Sequence, residues 1–261
     1  MRQPIENIGE YTLQKFSRTA KFISFIYDVL LHACLPSSYY PAMRMVLVKQ
    51  VFFTSVQVFS SFVLIAFLFG FAIIGSIISI SADYGLQADI GEILVYFIFN
   101  EFAPLFTALL IALRSGTAVN TEIAVMTVTN EINTLKTYQV ELITYLYLPR
   151  ILAGVFSVSA LAIIFSFIML ISGYVFSALY LQMELVTYSH ILLGAVELSN
   201  ILMLLFKSMV FGFLIMLIPI YHGIHTIKSY NAIPISVLQG MVNLFVAIIF
   251  IEMITVLLWS L

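Results

Sequence analysis

Three ionisable side chains interrupt runs that are otherwise apolar. Glu101 stands in "IFNEFAPLFTALLIALRSG", residues 98–116, Lys207 in residues 198–224 and Glu252 in residues 229–261. A charge held in hydrocarbon costs a few kcal/mol or more, so each of these groups demands a partner or a wet cavity. Counting about 1.5 Å per residue from the nearer ends of their runs puts all three at neighbouring depths. Lys207 is therefore expected within reach of Glu101 or Glu252. On a helix, Glu101, Pro104, Ala108 and Ala112 share one face, where small residues let another helix approach closely. The other reactive types are sparse. His222 and His225 stand at i,i+3 spacing without a cysteine or carboxylate close in sequence, which reads as a surface or interfacial pair rather than a metal site. The sequence holds no phosphate-cradling G-x-x-x-x-G-K-[ST], no H-E-x-x-H and no G-x-S-x-G. The chain reads as non-catalytic, with no cofactor and no metal of its own.

The elements that carry these residues follow from composition and charge. Hydrophobic residues make up 62% of the 261, charged residues 9%, and mean hydropathy is +1.10, far more apolar surface than one soluble core hides. A net charge of -2 without a basic stripe gives no footprint for nucleic acid. Cys34 is alone, which excludes an internal disulfide. The N-terminus lacks a compact apolar stretch with a cleavage site, so no removable signal is expected. About 20 apolar residues cross a bilayer as a helix, and five runs qualify, giving spans at 50–82, 93–114, 151–180, 198–222 and 233–259. The segments before span 1, between spans 2 and 3 and between spans 4 and 5 hold nine of the eleven Lys and Arg residues, and Arg114 ends span 2 on the same side. The opposite loops, 83–92 and 184–197, hold Asp83, Asp89, Glu92, Glu184 and Glu197 without one Lys or Arg. The positive-inside rule then puts the N-terminus in the cytoplasm and the C-terminus outside.

Residues 7–35 read as a helix lying in the membrane plane. From residue 13 on, Leu13, Phe16, Ile23, Ile26, Tyr27, Leu30 and Leu31 fall on one side and Lys15, Arg18, Lys21, Asp28 and His32 on the other, with Phe22 and Phe25 out of pattern. A soluble helix packed on another protein fits the same stripe. "PSSYYP", residues 36–41, breaks it. After span 2, Arg114 can face the helix dipole and Gly116 can take a left-handed cap. Residues 117–136 are then too polar to span, yet Val119, Ile123 and Met126 recur at helical spacing. One or two short surface helices are expected there, with Glu122, Asn130, Glu131 and Asn133 open to a partner; an ordinary connecting loop is the alternative.

"NEFAPLFTALLIALRSGTAVNTEIAVMTVTNEINTLKTYQVE", followed by "YLPRILAGVFSV", resembles the MlaE/YrbE permeases of ABC transporters. Glu101, Pro104, Arg114, Gly116, Thr121, Glu122, Ile123, Met126, Glu131, Pro149 and Arg150 occupy the places of that family's pattern, and weaker likeness covers most of the chain after about residue 40. Two positions depart from it: Asn100 stands where the family commonly carries Arg, and Ile132 follows Glu131 where a Gln is common.

The resemblance implies an all-α integral membrane protein with a coupling helix between spans 2 and 3. It implies a bacterial inner-membrane subunit that moves phospholipid or a related lipid between membranes. The implied partners are a second copy of the chain, a cytoplasmic ATPase holding ATP and Mg, an MCE-domain substrate-binding protein, a small STAS-type regulatory protein and membrane lipid. Thr121, Glu122, Met126 and Glu131 would meet the ATPase. Two readings then compete for the buried charges. Asn100, Glu101 and Pro104 line a lipid cavity whose Phe and Leu walls take acyl chains, or the charges form an ion pair that fixes helix register and touches no substrate. A proton-coupled carrier that uses Glu101, and a membrane-embedded enzyme or assembly factor, are the alternatives from other classes.

Overall fold

The computed structural model describes residues 3–84 and 90–260, with side chains from residue 19 onward except at 82–83 and 259–260. It is all helical; no strand occurs among the described residues. Helix α1 spans Gln3–Cys34 and a 3-10 turn, Pro36–Ser38, ends it, followed by α2 (Pro41–Thr54) and α3 (Phe59–Asp83). The second span is one continuous helix with three α-segments, α4 (Ile90–Val95), α5 (Ala103–Ile111) and α6 (Thr117–Val128). These are joined by wider π-turns at Tyr96–Phe102 and Ala112–Gly116. Helix α7 (Glu131–Thr137) follows a left-handed Asn130 at φ 63°. A third π-turn, Ile143–Tyr147, opens α8 (Leu148–Tyr180). Then come α9 (Leu185–Ala195), α10 (Leu198–Ile224) and α11 (Ala232–Ser260).

Five helical stretches are long and apolar enough to cross a membrane: Pro41–Ser81, Ile90–Val128, Ile143–Tyr180, Leu198–Ile224 and Ala232–Leu258. The first, at 41 residues, would run about 60 Å as one rod, twice the hydrocarbon thickness. A 3-10 turn at Val56–Val58 divides it, so the apolar run begins nine residues before the expected start at 50. The loop expected at 184–197 contains the apolar helix α9. Asp89 and the side chain of Asp83, which the charge count placed in the opposite loop, lie outside the described residues.

Helices α8 and α10 form the centre. They cross with glycine against glycine: a Cβ on Gly212 would sit 2.6 Å from the Gly154 carbonyl oxygen, and one on Gly154 would sit 2.7 Å from that of Gly212. Without a hydrophobic drive between helices in lipid, this close backbone approach is what supplies dispersion contact. Phe165, Leu161 and Val158 on α8 and Phe211, Ile215 and Leu204 on α10 are completely or almost completely buried around the crossing.

Helix α1 differs instructively from its expected stripe. Ile23, Tyr27, Leu30 and Leu31 are exposed, whereas Val29 is buried and the two residues out of pattern are the anchors. Phe22 packs edge-on to Tyr221 at 4.9 Å between ring centroids, and Phe25 meets Tyr147 and Tyr221, each at 5.9 Å. The helix is apolar on two sides, one against the bundle and one free for the acyl boundary, and a single-stripe reading merges them. The side chains of Leu13, Lys15, Phe16 and Arg18 lie outside the described residues.

Candidate functional site

Glu101, Lys207 and Glu252 meet. Lys207, completely buried on α10, donates from Nζ to Glu101 Oε2 at 3.1 Å, to Glu252 Oε1 at 3.2 Å and to the backbone carbonyl of Asn100 at 2.6 Å. The local sequence makes that carbonyl available. Pro104 lies four residues beyond Asn100 and has no N–H, so the α-helical bond that would end on Asn100 is missing. Here Lys207 takes the vacated acceptor. The π-turn at Tyr96–Phe102 places Asn100 and Glu101 side by side in that widened turn.

Asn100 and Pro104 are buried, so neither forms an open wall. The Asn100 amide donates to Asn200 Oδ1 at 2.9 Å and ties the second span to α10. Asn100, where the family commonly carries Arg, makes a neutral amide–amide contact here. The two carboxylates keep partial access to the surface, with side-chain exposures of 22% for Glu101 and 14% for Glu252, against 0% for Lys207. Glu252 Oε2 and Asn100 Oδ1 are buried acceptors without a hydrogen-bond partner among the described residues. A cleft of about 510 Å³ near the starts of the second span and of α10 is lined by Glu92, Tyr96, Gly194 of α9, Glu197 and Asn200.

The other end of the second span corrects two expectations. Gly116 is not a left-handed cap: its φ and ψ are -61° and -46°, and the helix runs straight on into α6. The reason is burial, since Gly116 packs beneath Ile215 of α10 and Leu244 of α11, and that packing carries the chain onward. Segment 117–128 thus belongs to the bundle rather than to a free surface. Glu122 is bound to Arg150 on α8, with Nη2 donating to Oε1 at 2.6 Å. Arg150 is 96% enclosed and gives its other terminal nitrogen to the Leu146 carbonyl at 2.9 Å. Thr121 is exposed, but its hydroxyl turns back to the Thr117 carbonyl. Met126 is half-buried against the core.

The open polar surface lies further on, where Glu131, Asn133, Thr134 and Thr137 of α7 are exposed. Ile132 is buried and pins α7 to the bundle, so the departure at 132 concerns packing. Lys228 on the α10–α11 turn donates to Asn130 Oδ1 at 2.6 Å. Sequence reading missed Asn120, fully buried, which donates to the Ser236 carbonyl, while Asn243 donates to His222 Nε2 at 2.9 Å. A lone Asn inside "SGTAVNTEIA" was the available signal.

An all-α bundle with five membrane-length helices and an internal charge cluster is that of a multi-pass membrane protein. The relatives agree. A probable ABC transporter permease protein of Rickettsia bellii is 24% identical over 242 residues, 91% of this chain and 90% of its own length. One of Rickettsia typhi is 28% identical over 160 residues, 61% of this chain and 62% of its own. The chain belongs to the MlaE permease family, whose description, Permease MlaE, fits residues 47–258. An intermembrane phospholipid transport system permease protein of Haemophilus influenzae is 32% identical over 83 residues, 32% of each chain.

Proposed function

We propose that this chain is the permease half-unit of an ABC transporter that moves phospholipid or a related lipid between bacterial membranes. It works as a homodimer in the inner membrane with its N-terminus cytoplasmic and its C-terminus periplasmic. A separate ATPase, carrying ATP and Mg, docks on the exposed face of α7, an MCE-domain protein receives or delivers lipid, and a small STAS-type protein is a further candidate partner. The carrying observation is the Glu101–Lys207–Glu252 cluster, held inside the bundle yet open through its carboxylates. The part-exposed carboxylates of Glu101 and Glu252 suit the donors of a polar headgroup, while the apolar helix faces around them suit acyl chains. The Haemophilus relative's name supports the lipid class.

The test is purification from the native membrane with and without Glu131→Lys, followed by identification of co-purifying proteins and lipids. Glu122→Lys is avoided because it would also break the Arg150 bridge. The expected result is an ATPase that comes down with the unaltered chain and is lost from the variant. Lipid movement by the chain alone, driven by a proton gradient, would replace this reading with proton-coupled carriage through Glu101.

A further inference from the structure

At the end of the bundle away from the ion cluster, α7 and the α10–α11 turn enclose a pocket of about 260 Å³. Its polar wall carries Lys136, Lys228 and His225 together with Thr127, Asn133 and Thr226, and no carboxylate. Among the described residues, Lys228 Nζ donates to the neutral Asn130 side chain alone. Among the described residues no carboxylate lies within 4 Å of either lysine. His225 donates through Nδ1 to the Tyr221 carbonyl at 2.8 Å, so its Nε2 remains for another partner.

Lys136, His225 and Ile224 also border a second groove, of about 480 Å³, between α1 and the entry of α8. Phe25, Leu142, Ile143, Tyr147 and Tyr221 give this groove an apolar, aromatic lining. Its two carboxylates, Asp28 and Glu141, come from α1 and from the stretch before the π-turn, and Glu141 is already held by His32 at 2.8 Å and Thr144 at 3.1 Å. A cationic pocket without acids that opens into an apolar trough has the shape of an anionic amphiphile. A docked acidic peptide would use the first part and leave the second unfilled.

We propose that pocket and groove together bind one anionic phospholipid of the leaflet beside the basic loops. Its phosphate sits among Lys136, Lys228 and His225, and its acyl chains lie between α1, the Ile143–Tyr147 π-turn and the end of α10. This site is separate from the Glu101 cluster and does not depend on the transport reading.

The test is native mass spectrometry of the detergent-purified protein titrated with cardiolipin, phosphatidylglycerol or phosphatidylcholine, compared with the Lys136→Ala/Lys228→Ala double variant. Each lysine near a lipid phosphate contributes a factor of about five, so the double variant should lose anionic lipid roughly ten- to thirtyfold, with phosphatidylcholine adducts unchanged. Lys136→Arg/Lys228→Arg should retain binding, and Lys49→Ala is the control for a basic residue elsewhere. Three results would overturn the proposal: undiminished cardiolipin adducts in the double variant, equal loss of phosphatidylcholine, or full displacement of the lipid by millimolar inorganic phosphate. The last would mark a free-anion pocket.

Discussion

Lys207 holds two carboxylates and a backbone carbonyl at once, so removing it strands more than its own charge. Lys207→Met should cost about 3–5 kcal/mol of stability, because it leaves Glu101 and Glu252 facing each other without a counter-ion. The triple change Lys207→Met, Glu101→Gln, Glu252→Gln should recover most of that loss in a thermal unfolding measurement in nanodiscs. Lipid movement should stay lost in the triple variant; transport by it would reduce the cluster to a register device. The meeting of these three residues was legible in the sequence because charges in apolar runs need partners at equal depth. The Asn100–Asn200 and Glu122–Arg150 pairs were not legible. Their members lie 100 and 28 residues apart, and nothing local to a neutral Asn or to a half-exposed Glu names its partner.

Apolar runs with at most one charge announce membrane helices, and each of the five stretches overlaps one of them. What runs cannot announce is continuity: Gly116 tolerates both a cap and a helix interior, and only the neighbouring α10 and α11 decide between them. Nor can hydropathy separate the two apolar sides of α1. The α8–α10 crossing gives a direct check, since Gly212→Val must push the backbones apart. It should destabilise by about 1–3 kcal/mol as other overpacked sites do, with Gly194→Val, which has open space around it, as the neutral comparison. Helix α1 adds a dependence on pH. His32 lies between the Asp28 carbonyl, at 2.7 Å, and Glu141, and its pKa is raised above the usual 6.5, first by the Asp28 bond and then by Glu141, against an opposing contribution from burial. A raised value means that protonation favours the docked helix. The stabilisation is complete below pH 6.5 and fades as pH climbs through the raised value. A spin label on the exposed Cys34 should therefore become more mobile between pH 6 and pH 8, and Glu141→Gln should flatten that response.

For the molecule as a whole, topology reduces to a sidedness experiment. Cys34, the single cysteine, should react with a membrane-impermeant maleimide in inside-out vesicles and remain unlabelled in intact spheroplasts. With Cys34 replaced by Ser, Asn133→Cys should behave alike and His190→Cys in the opposite manner. Labelling of Cys34 and a cysteine at 190 from the same side would break the five-span arrangement. The unbroken helix Ile90–Val128 has a mechanical meaning within that arrangement. Glu101 and the end of α6 are separated by about 27 residues of one rod, an arm of roughly 40 Å. Each degree of tilt at the α7 end therefore swings the charge cluster by about 0.7 Å relative to its neighbours, and a tilt of a few degrees already exceeds the slack of a 3.1 Å ion pair. One π-turn, Ala112–Gly116, lies along that arm, and the other, Tyr96–Phe102, holds Glu101 itself, so the stroke that reaches the carboxylate is set by how stiff the first joint is.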